Sequence, residues 1–321
     1  MSPFFTKKLI KKPVYTHQAV LLQEAITCLN IQAEGIYVDG TFGRGGHSRA
    51  ILSQLNEKGR LIGLDQDPEA VAAGHDLTQQ DPRFQMIHSD FASVAQVIAE
   101  LDLSRKINGF LLDLGVSSPQ LDNPDRGFSF MRDGALDMRM NPTQGQSLTQ
   151  WLQHAKEREI SDIIKRFGEE RHAKRITRAI VAEREIKPIE TTAHLADIVS
   201  KAHPAWEIGK HPATKTFQAL RIFINRELEQ IETVLPQSLD ILAVQGRLVV
   251  ISFHSLEDRL VKRFIREYAK GDDFPTHLPV TVDMLNPKLK PIGKAINSSK
   301  MEMEQNPRAR SAVLRAAERL S

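Results

Sequence analysis

The chain has 321 residues, and its 41% hydrophobic and 26% charged residues are typical of a folded globular protein rather than a disordered one. Lys and Arg total 43 against 40 Asp and Glu, and a net charge of +3 does not by itself indicate a nucleic-acid-binding protein. The single cysteine, Cys28, excludes an intramolecular disulfide framework and a Cys-rich zinc site. No apolar run approaches the roughly 18 residues that span a bilayer, so we expect a cytoplasmic protein without a membrane partner.

Strands and helices alternate along the first third of the chain. After a basic tail over residues 1–14, strands are predicted at 35–39, 60–65, 84–88 and 107–114, with helices at 47–56, 68–78 and 92–101 between them. This alternation favours βαβ units and a parallel sheet with helices on both faces. We therefore predict an α/β fold whose sheet domain begins with residues 15–120.

A long interruption separates the fourth predicted strand from the fifth. The next good strand, 246–253, follows only after about 130 residues, whereas a βαβ crossover takes a few tens of residues at most. The intervening residues show apolar side chains at helical spacing over 148–156, 158–167, 169–186, 192–202 and 214–235. We predict an inserted all-helical domain over 121–213, with 214–321 as the second part of the sheet domain.

The remaining residues predict a return to the sheet domain. A helix is predicted through 235–242, a turn at Gln245–Gly246, and a second helix over 255–270. Residues 271–300 are predicted to be rich in loops, and the periodicity of 312–320 is ambiguous.

A glycine-rich loop, DGTFGRGGHS over residues 39–48, follows the first predicted strand. It is either a tight turn or a place where the backbone approaches a ligand. Asp65 ends the second strand, where it could accept hydrogen bonds from ribose hydroxyls, and Asp90 and Phe91 end the third, where they could hold an adenine. These strand ends predict a nucleoside site at one edge of the sheet.

The loop narrows the choice of nucleoside ligand. Ser48 occupies the sixth position of the dinucleotide fingerprint, which requires glycine, and no Gly-Lys-Ser/Thr phosphate loop occurs. Asp39 would repel a pyrophosphate but suits a cationic amino-acid group. The residues therefore favour S-adenosyl-L-methionine as the cofactor.

The fourth strand ends in LDLGVSSPQ, residues 112–120, which resembles loops of enzymes that methylate exocyclic amino groups. The lone pair of an aromatic amine is delocalised into its ring, so the reaction needs an acceptor for an N–H proton. Asp113, Ser117 or a backbone carbonyl could be that acceptor. The alternative is a plain turn with a helix-capping Ser or Asp.

Seven motifs together are similar to the bacterial 16S ribosomal RNA (cytosine-N4)-methyltransferase family. They are DGTFGRGGHS (39–48), DLGVSSPQ (113–120), RGFSFM (126–131), LDMRM (136–140), HPATKTFQALR (211–221), SFHSLEDR (252–259) and NPRARSAVL (306–314). The resemblance runs from about residue 16 onwards. It implies a Rossmann-like class I methyltransferase with a helical insertion, acting on a cytidine in the decoding centre of the small ribosomal subunit.

The same resemblance implies roles for individual residues. It places cofactor contacts at Gly45, Gly46, His47, Asp65, Phe91, Asp113 and Gln120, and a strand at 312–316. The helical insertion becomes the substrate-recognition domain. Two alternative functions remain. One is a methyltransferase that acts on DNA, at cytosine N4 or adenine N6, and the other is a non-catalytic RNA-binding protein that senses a nucleotide. A sensor needs no loop at the position where a methyl group would be transferred, so the presence of this loop beside the cofactor loops favours an enzyme. We expect no DNA partner.

Basic and aromatic residues suggest where a nucleic acid could bind. The candidates for substrate contact are Arg139, Lys215, Arg221 and His254. Arginines interleaved with aromatics over 126–139 suit a splayed RNA base, or else a hinge with solvated arginines. Trp151 and Trp206 are expected to be packing residues. His254 and Asp258 have metal-ligand spacing, but a capping box from Ser255 to Asp258 is the better interpretation, and no metal is expected.

Overall fold

The computed structural model describes residues 19–204, 211–272 and 285–321. The predicted basic tail and Trp206 lie outside the described residues. Eight strands are found in them: β1 Ile36–Asp39, β2 Arg60–Asp65, β3 Phe84–His88, β4 Ile107–Asp113, β5 Leu242–Ser252, β6 Leu289–Pro291, β7 Ile296–Asn297 and β8 Val313–Arg319. The strands form one sheet in the order β3-β2-β1-β4-β5-β8-β6, with β7 also paired to β8.

Strands β1 to β5 are parallel, and β8 runs antiparallel to β5. Asp39 pairs in register with Gly63 and Leu111, so the carboxyl ends of β1, β2 and β4 meet at one edge. The order reverses between β1 and β4, which is where open α/β sheets bind ligands. This arrangement confirms the predicted Rossmann-like class I methyltransferase fold.

Helices cover both faces of the sheet. They are α1 Leu22–Leu29, α2 Gly46–Leu52, α3 Pro68–Gln80, α4 Val94–Glu100, α11 Glu227–Ile241 and α12 Ser255–Lys270, and two further short helices are α5 Ser118–Asp122 and α13 Lys300–Gln305. Side chains of a strand alternate between faces, and in β4 Leu111 packs into one apolar core while Phe110 and Leu112 pack into the other. Two cores sandwiching the sheet fix the positions of the strand ends.

The insertion has an apolar core of its own. Its helices are α6 Leu148–His154, α7 Glu157–Gly168, α8 Ala173–Ile186, α9 Thr192–Ala202 and α10 Thr214–Ile224. The core extends from Phe128 to Leu220, so it includes α10. The predicted boundary at 213/214 is therefore too early, and the helical unit reaches about residue 224.

The predicted helix over 214–235 is two helices. Asn225 ends α10, and Arg226 takes a left-handed φ of 52° before α11 begins. The side chain of Asn225 accepts a hydrogen bond from Met140 N at 2.7 Å and donates one to Met138 O at 2.7 Å. These contacts fix the break, because they bind the end of α10 to a distant segment.

One other prediction needs correction, and another is confirmed. Gln245 and Gly246 form no separate turn but lie within β5, where Gln245 has a φ of 67° and the pairing with β4 shifts register. Short strands β6 and β7 lie in the predicted loop region. β8 confirms the strand implied at 312–316. No helix among the described residues has the length and apolar character to cross a bilayer.

Candidate active site

A cavity of about 200 Å³ opens at the carboxyl edge of the sheet, where β1, β2 and β4 end. Its described lining includes most of the residues predicted to touch the cofactor or the reacting group: Gly46, His47, Asp65, Phe91, Asp113, Ser117 and Gln120. Gly45 lies directly beside this lining. The structure thus brings these predicted residues from four separate segments of the chain to one cavity.

The glycine loop is held in shape by Asp65. Oδ2 of Asp65 accepts a hydrogen bond from Gly43 N at 2.8 Å, and Oδ1 accepts one from Asp67 N at 2.9 Å. Burial raises the pKa of Asp65 to about 6, although these two backbone donors oppose the shift. Gly45 has a φ of 73°, and a Cβ there would lie 2.8 Å from the Phe42 ring. The loop conformation therefore requires glycine at this position.

Asp113 is the least satisfied carboxylate in the cavity. Its Oδ1 is buried and has no hydrogen-bond partner among the described residues, and its Oδ2 lies 3.7 Å from Nδ1 of His47. Nε2 of His47 lies 3.1 Å from Val20 O, and a carbonyl only accepts, so Nε2 carries a proton. Burial raises the pKa of Asp113 to about 6, against the opposing effect of His47.

Asp39 supports the loop from behind instead of facing the ligand. Its side chain is buried, with Oδ2 accepting from Ser48 Oγ at 2.6 Å and Oδ1 accepting from Thr41 N at 3.1 Å. Burial raises its pKa despite these contacts. Asp39 was expected to suit a cationic group of the ligand. Because its oxygens are enclosed, it can act on such a group only through the electrostatic field of its charge and not by direct contact.

Ser117 and Gln120 form a capping box at the start of α5. The Gln120 amide also donates to Asp67 Oδ2 at 2.7 Å, and Arg126 Nη1 donates to the same oxygen at 2.9 Å. Arg126 is buried and donates further to Met140 O at 2.8 Å. Arg126 therefore joins separate segments, as the hinge interpretation expects, but it is buried rather than solvated. Sequence reasoning missed Asp67, which joins the cavity wall to the helical unit.

Of the four residues predicted to contact substrate, Arg221 is occupied inside the protein, whereas Arg139, Lys215 and His254 lie nearer to the surface or to the cavity. Arg221 is largely but not fully buried and makes two hydrogen bonds of 2.8 Å to Glu227, so these bonds, and not substrate contact, occupy its guanidinium. Arg139 pairs with Asp137 at 2.6 Å, and Lys215 is half-buried on α10. His254 lies at the end of β5, beside the cavity.

His254, and not Ser255, caps α12. Its Nδ1 accepts from Glu257 N at 3.4 Å, while Glu257 accepts from His254 N at 3.2 Å, so the capping box joins these two residues. Asp258 instead binds Arg315 at 2.7 Å. The predicted box from Ser255 to Asp258 is therefore wrong. Glu257 and Glu227 line the cavity and were missed, although His-x-x-Glu spacing before a helix was a usable signal.

A larger groove of about 660 Å³ lies between the helical unit and the sheet domain. It is lined by five arginines and three glutamates around an apolar floor: Arg139, Arg166, Arg226, Arg259, Arg263, Glu169, Glu229, Glu232 and Phe223 among others. The groove and the cavity share a wall. Arg226 lines the groove and the next residue, Glu227, lines the cavity, and Leu256 and Glu257 are divided in the same way.

A model of the MraW methylase family matches residues 14–320 of the chain. The chain belongs to the MraW methylase family. The methylase is 55% identical over 307 residues to "Ribosomal RNA small subunit methyltransferase H" of Nitrosococcus oceani, covering 95% of this chain and 98% of that protein.

Two solved structures are similar to the methylase at low sequence identity. One is an rRNA methylase from Streptococcus thermophilus, with 12% identity, a TM-score of 0.39, and coverage of 98% of this chain and 100% of that one. The other is a SAM-dependent O-methyltransferase from Thermotoga maritima, with 9% identity, a TM-score of 0.40, and coverage of 96% and 69%.

The cavity of the methylase fits a cationic nucleoside cofactor. Six carboxylates but only two arginines are among its described lining residues. Such a surplus attracts a sulfonium and an ammonium group. The unpartnered Oδ1 of Asp113 adds a buried acceptor that nothing within the described residues satisfies.

Proposed function

We propose that this methyltransferase transfers a methyl group to the exocyclic N4 amino group of a cytidine in the decoding centre of 16S ribosomal RNA. The observation that carries this proposal is the buried, unpartnered Oδ1 of Asp113 at the end of β4. An amino nitrogen needs an acceptor of this kind as its lone pair attacks. The name of the Nitrosococcus relative supports ribosomal RNA of the small subunit as the substrate.

S-adenosyl-L-methionine is the cofactor of this methyltransferase, and when bound it supplies an electrophilic methyl carbon and retains the electron pair of the broken carbon–sulfur bond. We propose that Asp65 accepts hydrogen bonds from the ribose hydroxyls and that Phe91 packs against the adenine. Gly45, Gly46 and His47 would border the amino-acid end, with Gln120 closing the opposite wall. The contacts of Asp65 with Gly43 and Asp67 support this assignment, because they hold its carboxylate in one position.

Asp113 has the central role in the proposed transfer. Its Oδ1 accepts a hydrogen bond from N4, which orients the amino group, and it then takes the proton that N4 loses as the nitrogen–carbon bond forms. A pKa of about 6 leaves the carboxyl ionised at neutral pH and still basic enough to accept a proton briefly. Ser117, which lines the same cavity, is the second candidate acceptor.

The groove beside the cavity provides a place for the RNA strand. We propose that the strand lies along the arginines of the groove and that the target base turns out of it, over the shared wall, into the cavity. Arg226 and Arg259 are exposed and bind exposed glutamates, at 2.7 and 3.3 Å, so phosphates can compete for them. The helical unit contributes Arg139 and Arg166 to the groove, which supports its assignment as the substrate-recognition domain.

The test is a nucleoside analysis of small-subunit RNA by mass spectrometry. A strain lacking the gene should lose one cytidine methylated at N4, and the wild-type gene should restore it while a gene encoding Asp113→Asn should not. A methyl group restored on a different base or on a ring carbon would contradict the proposal.

A further inference from the structure

Three buried polar atoms that have no hydrogen-bond partner within the described part of the chain lie at the ends of β4 and β5. They are Oδ1 of Asp113, Oε1 of Glu257 and Nε2 of His254. Folded proteins satisfy nearly all of their buried polar groups, so a set of exceptions at one site indicates an absent binding partner. Asp113 already has a proposed role, whereas Glu257 and His254 have only their capping contacts.

Glu257 presents one fixed acceptor. Its Oε2 accepts from Phe253 N at 2.7 Å and from His254 N at 3.2 Å, so only Oε1 remains available. The side chain is 1% exposed, and the residue lines the same cavity as Asp113. Burial opposes its ionisation, but its pKa is lowered overall, with the guanidinium of Arg221 and the N–H of Phe253 among the groups that stabilise the carboxylate. Glu257 is therefore a buried carboxylate in its charged form.

His254 presents one fixed donor. Its Nδ1 accepts from Glu257 N, so the proton of the neutral ring resides on Nε2. Nε2 lies 3.2 Å from Oε1 of Glu257, yet neither atom makes a hydrogen bond of acceptable geometry. A donor and an acceptor thus lie side by side beside the cavity.

This pair is complementary to the Watson–Crick edge of cytosine, which places the N4 amino donor beside the N3 acceptor. Uracil has the opposite order, with an O4 acceptor beside an N3–H donor. Enzymes that act on a flipped base read it through this edge.

We propose that Glu257 and His254 select the target base, with Oε1 of Glu257 accepting from N4 and Nε2 of His254 donating to N3. This inference rests on the proposed function and deepens it. Asp113 would accept a hydrogen bond from the second N4 hydrogen. Each hydrogen of the amino group would then be bonded to one carboxylate, and the lone pair of N4 would be free to attack the methyl carbon. Neither carboxylate could satisfy the O4 atom of a uracil.

A cation is the competing occupant, because a carboxylate oxygen of Glu227, a ring nitrogen of His254 and a carboxylate oxygen of Glu257 all lie within 4.8 Å of one another. Arg221 disfavours that occupant. Both oxygens of Glu227 already accept hydrogen bonds from its guanidinium, which supplies positive charge at this position. The free donor and acceptor of His254 and Glu257 favour a base edge.

The first experiment compares cytidine and uridine 5′-monophosphates as ligands. Each is titrated by NMR into the full-length protein saturated with S-adenosylhomocysteine. We expect the wild type to bind the cytidine nucleotide at least tenfold more tightly. Glu257→Gln places an amide donor opposite N4 and should remove this preference, whereas Glu267→Gln, the same change at an exposed site on α12, should keep it. Equal affinity of the wild type for both nucleotides would overturn the proposal, and this comparison needs no variant to fold.

The second experiment measures methyl transfer to small ribosomal subunits. Glu257→Gln should lower kcat/KM about a hundredfold or more, with unchanged affinity for S-adenosyl-L-methionine. His254→Phe should lower kcat/KM similarly, while His254→Gln, which retains a donor near Nε2, should recover part of the loss.

Wild-type transfer to a base other than cytosine would refute the proposed function, whereas normal transfer by Glu257→Gln would refute only this inference. One equivalent of zinc in the purified protein, lost in both Glu257→Gln and His254→Phe, would assign these atoms to a metal and overturn base selection.

Discussion

The cavity and the groove differ in the sign and in the exposure of their charges. The cavity has a surplus of carboxylates, and Asp65 and Asp113 within it have pKa values raised to about 6 by burial. The groove has a surplus of arginines, and Arg226 and Arg259 bind partners at the surface. The difference matches the two proposed ligands, because a cationic cofactor suits the first space and a polyanionic RNA strand suits the second.

The two spaces should also respond differently to salt. Exposed charges are screened within a Debye length of about 8 Å at physiological ionic strength, whereas buried charges are screened much less. We therefore expect cofactor binding to depend weakly on salt and RNA binding to depend on it steeply. The following changes test each side of this contrast.

Asp113→Asn should have the largest effect, and it acts on the cavity alone. The amide keeps the shape but loses the charge that accepts the N4 proton, so turnover should fall about 10²- to 10³-fold. Affinity for S-adenosyl-L-methionine should stay within a few-fold. Methyl transfer to small subunits and calorimetric titration measure the two quantities, with Asp76→Asn at an exposed position as the control. Turnover within twofold of the wild type would remove Asp113 from the reaction.

Asp65→Ala should weaken cofactor binding roughly tenfold to a hundredfold, since a charge-assisted hydrogen bond contributes about 1.5–3 kcal/mol. The change also removes the acceptor of Gly43 N, which holds the glycine loop. Because the pKa of Asp65 is about 6, wild-type affinity should decline as the pH falls below that value. Calorimetry at pH 7.5 and 5.5 checks both points, and unchanged binding by the variant would exclude Asp65 from the cofactor site.

The same Asp113→Asn change should stabilise the fold at neutral pH. A carboxyl whose pKa rises from about 4 when unfolded to a higher folded value contributes stability at low pH that is lost as the pH rises through the folded pKa. For Asp113 this loss occurs between about pH 4 and pH 6. The variant avoids it and should gain about 1–2 kcal/mol in free energy of unfolding at pH 7.5 but little at pH 4. Urea unfolding at both pH values gives the comparison, and an equal difference at each pH would argue against a buried charge.

Arg263→Gln should have the smallest effect, and it acts on the groove alone. Losing one phosphate contact should weaken binding of small subunits about fivefold and reduce the slope of log affinity against log salt by about one unit. Arg266→Gln on the same helix lies away from the described groove lining and serves as the matched control. Binding curves at several salt concentrations test the pair, and identical slopes for both variants would show that Arg263 does not face the RNA.

Local pattern predicted the sheet domain well because its strands are short apolar runs between turn signals. The bounds of β2, β3 and α12 coincide with their predictions. The break after α10 could not be predicted, since neither Gly nor Pro marks it and its cause is the contact of Asn225 with Met138 and Met140.

In the site, too, residues placed by local sequence were predictable, whereas residues placed by contacts with distant segments were not. Carboxylates at strand ends, such as Asp65 and Asp113, were predictable from the position of the strands. The pairing of Arg221 with Glu227 was hidden because a continuous helix was predicted across the break. The His-x-x-Glu spacing could have indicated Glu257 as a capping residue, but its unpartnered oxygen is revealed only by the tertiary structure.

The position of β8 has a consequence for synthesis of the chain. Residues 313–319 lie between β5 and β6, and β6 pairs only with β8 among the described strands. A translating ribosome adds about 5–20 residues per second from the amino end, so β5 is made several seconds before its neighbour. During that interval the edge of β5 is unpaired and open to association with other chains. The sheet is therefore complete only after residues 313–319 have been synthesised.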